Sequence, residues 1–350
     1  MMHLADGPTY HLAAWEGSAS YNSCASYWWT NLLYINNLYP WKMNDGCIGW
    51  TWYLANDMQF YVLSPLILIP LYFLFPLGLV ISAIGIFVSF VISGTLAGVY
   101  DHQANEFAYY AYGYISDPSS DKAYTNLLYE KPWHRVSPYI VGLVLGYVLY
   151  RFRLTTKRYV NYPLFFVMWV FLGIFLISTL YGLYFTWHGH TPSTAENVIY
   201  IMFSRFTWSL GLALLVFACH YGYGGPINWF LSMKFWIPLS RISYNAYLLH
   251  PLILTVIFGS MRKVIDYQDY NLAVYAIGVI VLSYGASAIV TTFVEFPIGN
   301  LEQAIFKLAG LGRRESARTG GEEQAEQQQD TDPDQHLRAD SPSSKNKAIL

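Results

Sequence analysis

The chain has 350 residues, 54% of them hydrophobic, 18% aromatic and only 12% charged, about half the charged share of an ordinary soluble domain. A formal net charge of -2 gives no basic field for nucleic acid, so composition excludes that partner and argues for a chain that lives in lipid.

Residues 1–56 read as an extracytosolic N-terminal segment. Met1 to Ala14 lacks the basic start and apolar core of a secretory signal, and an outward segment without one implies further sequence upstream. Cys24 and Cys47 fall here, where an oxidising compartment permits a disulfide closing a loop of about two dozen residues. Cys219 is expected to be free.

Seven apolar windows follow, at roughly 58–76, 77–100, 136–152, 163–186, 197–219, 241–260 and 272–296. Crossing a hydrocarbon core takes about 20 residues, and the third window is the shortest. The fold class expected is all-α, a polytopic transmembrane bundle of about seven crossings. Phe75-Pro76-Leu77-Gly78 punctuates a run too long for one crossing and predicts a tight hairpin. Gly94-x-x-x-Gly98 and Gly142-x-x-x-Gly146 read as close helix-packing faces. From Arg313 the chain turns to Gln, Glu, Asp, Ser and Pro, so 306–350 reads as a cytosolic, largely disordered tail.

Lys and Arg set the orientation. Arg151, Arg153, Lys157 and Arg158 form the strongest cluster and place that loop in the cytosol, although Arg262 and Lys263 dissent. Residues 1–56, 101–135, 187–196 and 261–271 then face outward, and 220–240 and the tail face the cytosol. This makes a multi-pass protein of the plasma membrane or an endomembrane.

Ionisable groups in such a chain carry the chemistry, because each is costly at membrane depth. Asp57 stands in Trp52-Tyr-Leu-Ala-Asn-Asp57-Met-Gln-Phe-Tyr61; it is either a helix cap or an acid with a task. Arg205 lies about eight residues, or about 12 Å, below the outer end of its helix, and His250 about nine residues up another, near mid-membrane. An arginine cannot shed its charge and needs an anion or water. His250 has two readings, a functional imidazole or a neutral ring bonded to a carbonyl that Pro251 frees one turn earlier. Arg241 and Glu295, at the cytosolic edge, suit a structural ion pair. His188-Gly-His190 lacks a third ligand, so no metal is expected.

These segments resemble the acyltransferase-3 family of polytopic membrane proteins, in its animal nose-resistant-to-fluoxetine branch. The resemblance is carried by Trp28 to Asn37, Cys47, Trp52 to Pro65, Arg205-Phe-Thr-Trp208, Cys219 to Gly225, Ser240 to Pro251 and Glu295-Phe-Pro297. It implies that 57–305 is part of such a transmembrane domain. It also implies transfer of an acyl group, from acyl-coenzyme A as co-substrate, to a hydroxyl-type acceptor, small molecule or lipid, with no bound cofactor. Asp57, Arg205 and His250 are then the catalytic candidates, and Tyr53, Gln59, Tyr61, Tyr244 and Tyr247 the substrate contacts. The set supplies a base for the acceptor and an arginine for the oxyanion or donor phosphates. The family's opening helices, with a histidine taken as base, have no counterpart in this chain, which implies a truncated or inactive form. A lipid or drug transporter is the alternative reading, with membrane lipids as partners in either case.

Overall fold

A computed structural model describes residues 21–42, 45–104, 120–152, 162–188, 190–262 and 268–308. Arg153, Lys157, Arg158, Lys263 and the tail, on which parts of the orientation and disorder readings rest, lie outside them. Among the described residues every regular element is helical. The chain divides into two compact units, Met1–Ala286 and Ser287–Leu350.

In the first unit, α1 (Tyr21–Leu32) and a short turn at Gly49–Thr51 precede α2 (Trp52–Leu63) and α3 (Pro65–Phe73). Leu74 leaves helical geometry and α4 (Phe75–Val99) starts with proline in its first turn, which makes the expected hairpin. Its tightness depends on Gly78, where an added Cβ would fall 2.5 Å from the Leu71 backbone. After a π turn at Thr125–Tyr129 come α5 (Pro132–Phe152), α6 (Tyr162–Tyr181), α7 (Thr194–His220), α8 (Gly225–Leu231), α9 (Trp236–Gly259) and α10 (Asp269–Val290), whose last residues, from Ser287, belong to the second unit. A capping box starts α7: Ser193 Oγ accepts from the Glu196 N–H and Glu196 accepts from the Ser193 N–H. The second unit holds a π turn (Thr291–Glu295) and α11 (Phe296–Leu308).

Six helical stretches among the described residues are long and apolar enough to cross a membrane. The third expected window is the one that falls short. Its helix, α5, extends back to Pro132 and takes in Trp133, His134 and Arg135, and these polar residues lower its mean hydropathy. It still packs against α4 and α7 in the centre of the bundle.

Polarity runs inside out. Phe73, Phe166 and Phe293 are more than two-thirds exposed, which water would penalise and acyl chains would not. The face of α4 turned inward is small and polar, with Gly78, Ser82, Ser89, Ser93 and Ala97 buried. Ser89 Oγ donates to the Trp133 carbonyl at 2.6 Å, and Gly94 lies against Met202 of α7. Small residues of this kind let helices approach closely where hydrophobic burial gives no net drive. The second glycine pair behaves otherwise. A Cβ at Gly142 or Gly146 would meet nothing within 4 Å, so that face is open space and not a packing seam.

Candidate functional site

The open space beside Gly142 belongs to a cavity of ≈ 780 Å³ lined mainly by α2, α5 and α7. Its polar end carries Tyr53, Asp57, Tyr124, Tyr129, Arg135 and Arg205, and its far end Leu145, Leu212, Ala213 and Val216. From Arg205 to Val216 is eleven residues of α7, about 16 Å at helical rise. The site is therefore amphipathic along the bundle axis.

Each polar wall residue follows from its helix. Tyr53, Asn56, Asp57 and Phe60 line the cavity because steps of three and four put them on one stripe of α2. Asp57 lies well inside α2, whose N-cap is Thr51, so the capping alternative falls away. Tyr61 is four residues on from Asp57 yet leaves the stripe; it is 68% exposed and outside the lining.

Arg205 donates to Nε2 of His134, which is 3% exposed. An arginine has no acceptor, so Nε2 of that imidazole carries no proton. The ring proton then belongs on Nδ1, which lies 2.9 Å from Ser93 Oγ. A chain Ser93–His134–Arg205 thus orients the guanidinium from α4 through α5 to α7. Arg135 Nε donates to the Tyr129 carbonyl at 2.9 Å, and its guanidinium lies 4.8 Å from the centroids of both the Trp52 and Tyr129 rings. Among the described residues neither guanidinium forms an ion pair with a carboxylate.

Other expected site residues are placed elsewhere. His250 does not line the cavity. Its Nδ1 sits 2.7 Å from the Tyr247 carbonyl, the carbonyl left unbonded because Pro251 has no N–H, so the local reading describes it. Tyr247 donates to the Trp50 carbonyl, with its ring 6.1 Å from Tyr53, and joins α9 to the start of α2. Tyr244 is half exposed and outside the lining. Gln59 faces the N-terminal segment: its Nε2 donates to Tyr34 O at 2.9 Å and Asn37 Oδ1 at 2.8 Å. Arg241 is exposed in the first unit. Glu295, in the second, accepts from Thr291 Oγ1 at 3.2 Å.

Cys24 and Cys47 are joined by a disulfide, their Cα atoms 4.1 Å apart, and Cys219 is free. The bridge belongs to a cap over the cavity's polar end. Asn37 Nδ2 donates to Asn56 Oδ1 at 2.8 Å, Asn56 Nδ2 to the Glu130 carbonyl at 2.7 Å, and fully buried Lys131 Nζ to the Asn37 and Trp41 carbonyls at 2.6 and 3.2 Å. Lys131 Nζ also lies 4.3 Å from the Trp41 ring centroid. Beside it Glu130 is buried with Oε1 lacking a hydrogen-bond partner, and burial raises its carboxyl to about 8 despite the opposing charge of Lys131. No cluster of three His, Cys, Asp or Glu side chains suits a metal among the described residues. His190 instead pairs with Glu196 at 3.3 Å.

His134 and Arg135 are the residues that sequence reasoning passes over. Their signal is Pro132-Trp-His-Arg135 directly before an apolar run, since proline favours the first helical turn and so carries both side chains into the helix.

Fold and site together define a multi-pass helical membrane protein with a charged, amphipathic cavity inside the bundle. The chain belongs to the acyltransferase-3 family, whose model, described as an acyltransferase domain, matches residues 7–292. It is similar to "Nose resistant to fluoxetine protein 6" of Caenorhabditis elegans, 28% identical over 326 residues, covering 91% of this chain and 38% of that protein. It is also similar to "Regulator of hypoxia-inducible factor 1" of the same organism, 24% identical over 317 residues, covering 89% of this chain and 61% of that protein. The chain thus spans less than two thirds of the length of either relative. No solved structure matches it.

Proposed function

We propose that the cavity is the acceptor site of a membrane acyltransferase that moves an acyl group from acyl-coenzyme A to a hydroxyl-bearing acceptor. The observation that carries this reading is the joint presence of Asp57, Arg135 and Arg205 on one cavity whose other end is apolar. Asp57 takes the proton of the acceptor hydroxyl, whose oxygen attacks the thioester carbonyl. The oxyanion then collapses with loss of the coenzyme A thiolate. Fixed guanidinium charge at the polar end of the cavity favours such developing negative charge. His134 is a positioning residue, since it does not line the cavity itself and reaches it through its hydrogen bond to Arg205.

Membrane orientation belongs to the same proposal. The disulfide-bonded cap marks one end of α5 and Arg151 the other, so the polar end of the cavity faces the oxidising, extracytosolic side and the C-terminal tail the cytosol.

The test is transfer of labelled acyl groups from acyl-coenzyme A in membranes containing this chain, alongside Asp57→Asn. Turnover that falls by about 10²-fold or more in the variant supports the assignment. Retained turnover in Asp57→Asn removes it from the base role, and ligand binding without turnover favours the transport reading.

A further inference from the structure

The polar end of the cavity holds two guanidiniums against a single carboxylate, Asp57, and the far end is apolar. Arg205 is held by His134 and Arg135 by the Tyr129 carbonyl and two aromatic rings. Neither ion-pairs with a carboxylate among the described residues, and each retains N–H donors beyond these contacts. Desolvated arginines need an anion or ordered water.

Beyond them the lining turns to Val141, Gly142, Leu145, Leu212, Ala213 and Val216. Measured from Arg205 to Val216, the α7 wall runs about 16 Å, the length of an extended chain of about a dozen carbons. A volume of ≈ 780 Å³ falls in the range that encloses one drug-sized molecule. Gly142 lies seven residues below Arg135 on α5, about 10 Å down the wall, and faces open space.

We propose that the occupant of this cavity is a single-chain lipid with an anionic head group and a hydroxyl, as in a lysophosphatidate, its head at Arg135 and Arg205 and its chain beside α5 and α7. Gly142 sets the chain length accepted. This rests on reading the cavity as the acceptor site, and it supplies the acceptor's class. The hydroxyl lies near the head, at the end where Asp57 lines the wall. A phosphate and a carboxylate head share the charge that the two guanidiniums select.

The experiment uses the purified chain in nanodiscs and reads binding by thermal shift and by displacement of a fluorescent lipid. The probes are dodecanoyl lysophosphatidate, monododecanoyl glycerol, dodecanoate and glycerol 3-phosphate. The first should bind at least tenfold more tightly than the uncharged glyceride, and glycerol phosphate alone should bind at least a hundredfold more weakly. Dodecanoate tells whether a carboxylate replaces the phosphate. Arg135→Gln and Arg205→Gln should each weaken lysophosphatidate at least tenfold and leave the glyceride within threefold.

Gly142→Phe projects into empty space, so it should fold normally. It should reject the dodecanoyl probe while a hexanoyl analogue binds as before. Equal binding of charged and uncharged probes, or a Gly142→Phe chain that takes the dodecanoyl probe unchanged, overturns the inference. An inactive protein that still shows the charge and length selection leaves this inference standing and removes the acyl-transfer reading. Turnover without charge selection does the reverse.

Discussion

The cap and the cavity lie at the same end of the first unit and are built from similar residues, yet their polar groups are used in opposite ways. In the cap, Asn37, Asn56, Gln59 and Lys131 bond one another or named carbonyls. In the cavity, Arg135 and Arg205 are oriented by the protein but, among the described residues, form no ion pair with a carboxylate. Lysine and arginine thus serve differently within a few residues of each other. Lys131 is a compact cation enclosed by carbonyls and a ring, whereas Arg135 presents a fork of donors to open space. The difference separates groups that hold the fold from groups available to a ligand.

The most direct way to break this comparison is to exchange the losses. Arg205→Gln should lower acyl transfer by about 10²–10³-fold and change stability by only about 1 kcal/mol. Lys131→Met should do the opposite, costing about 3 kcal/mol because the Asn37 and Trp41 carbonyls lose their donor. Thermal unfolding in detergent and an initial-rate assay on both variants decide it. Two variants with the same profile would mean that cap and cavity form one undivided network.

Removing the bridge sharpens the boundary of the cap. Cys24→Ser with Cys47→Ser should cost about 3 kcal/mol for a loop of this size, read as a lower unfolding midpoint. Ligand affinity, measured well below that midpoint, should stay within about threefold, because neither cysteine lines the cavity.

A further effect concerns pH. Burial raises the Glu130 carboxyl from 4.5 to about 8, so the folded chain keeps a proton that the unfolded chain releases. The associated stability is fully present below pH 4.5, declines as pH rises through the window and is gone above about pH 8. The slope is at most about 1.4 kcal/mol per pH unit. Unfolding midpoints measured from pH 5 to 9 should fall with rising pH in the parent chain and stay flatter in Glu130→Gln. Burial lowers the Lys131 ammonium, opposed by Glu130, and the difference between the two profiles isolates the carboxyl.

The helices were legible because the bilayer imposes their length and apolarity, and Pro76 and Gly78 mark the hairpin by the groups they lack. Asp57 and Arg205 stand out as ionisable residues in apolar surroundings. The cavity's second arginine does not, because a hydropathy window opening at 136 leaves His134 and Arg135 in the preceding loop, although α5 includes them. Gly142 and Gly146 have the spacing of a packing face, yet spacing does not tell whether the opposing helix closes on it or stands off. Gln59 and Tyr61 sit beside Asp57 in sequence, and only the helical turn sends them to the cap and the exterior.

His250 gives the smallest expected effect and the finest test. Its estimated depth overlaps that of Arg205, but depth along an axis carries no information about which way a side chain faces. The face is set by Pro251, which frees the Tyr247 carbonyl that His250 Nδ1 approaches at 2.7 Å. The Tyr247 hydroxyl in turn donates to Trp50 O at the start of α2, so the bond steadies a contact between helices without reaching the cavity. His250→Ala should therefore cost about 1 kcal/mol of stability and change turnover by less than about threefold, far below the 10²–10⁴ typical of losing a general base. Replacing Pro251 by alanine should restore the backbone bond to Tyr247 and release the imidazole, so His250→Ala should cost less in that background. A loss of turnover near 10²-fold in His250→Ala, with an unchanged unfolding midpoint, would return His250 to the reaction centre and require α9 to close on the cavity during catalysis.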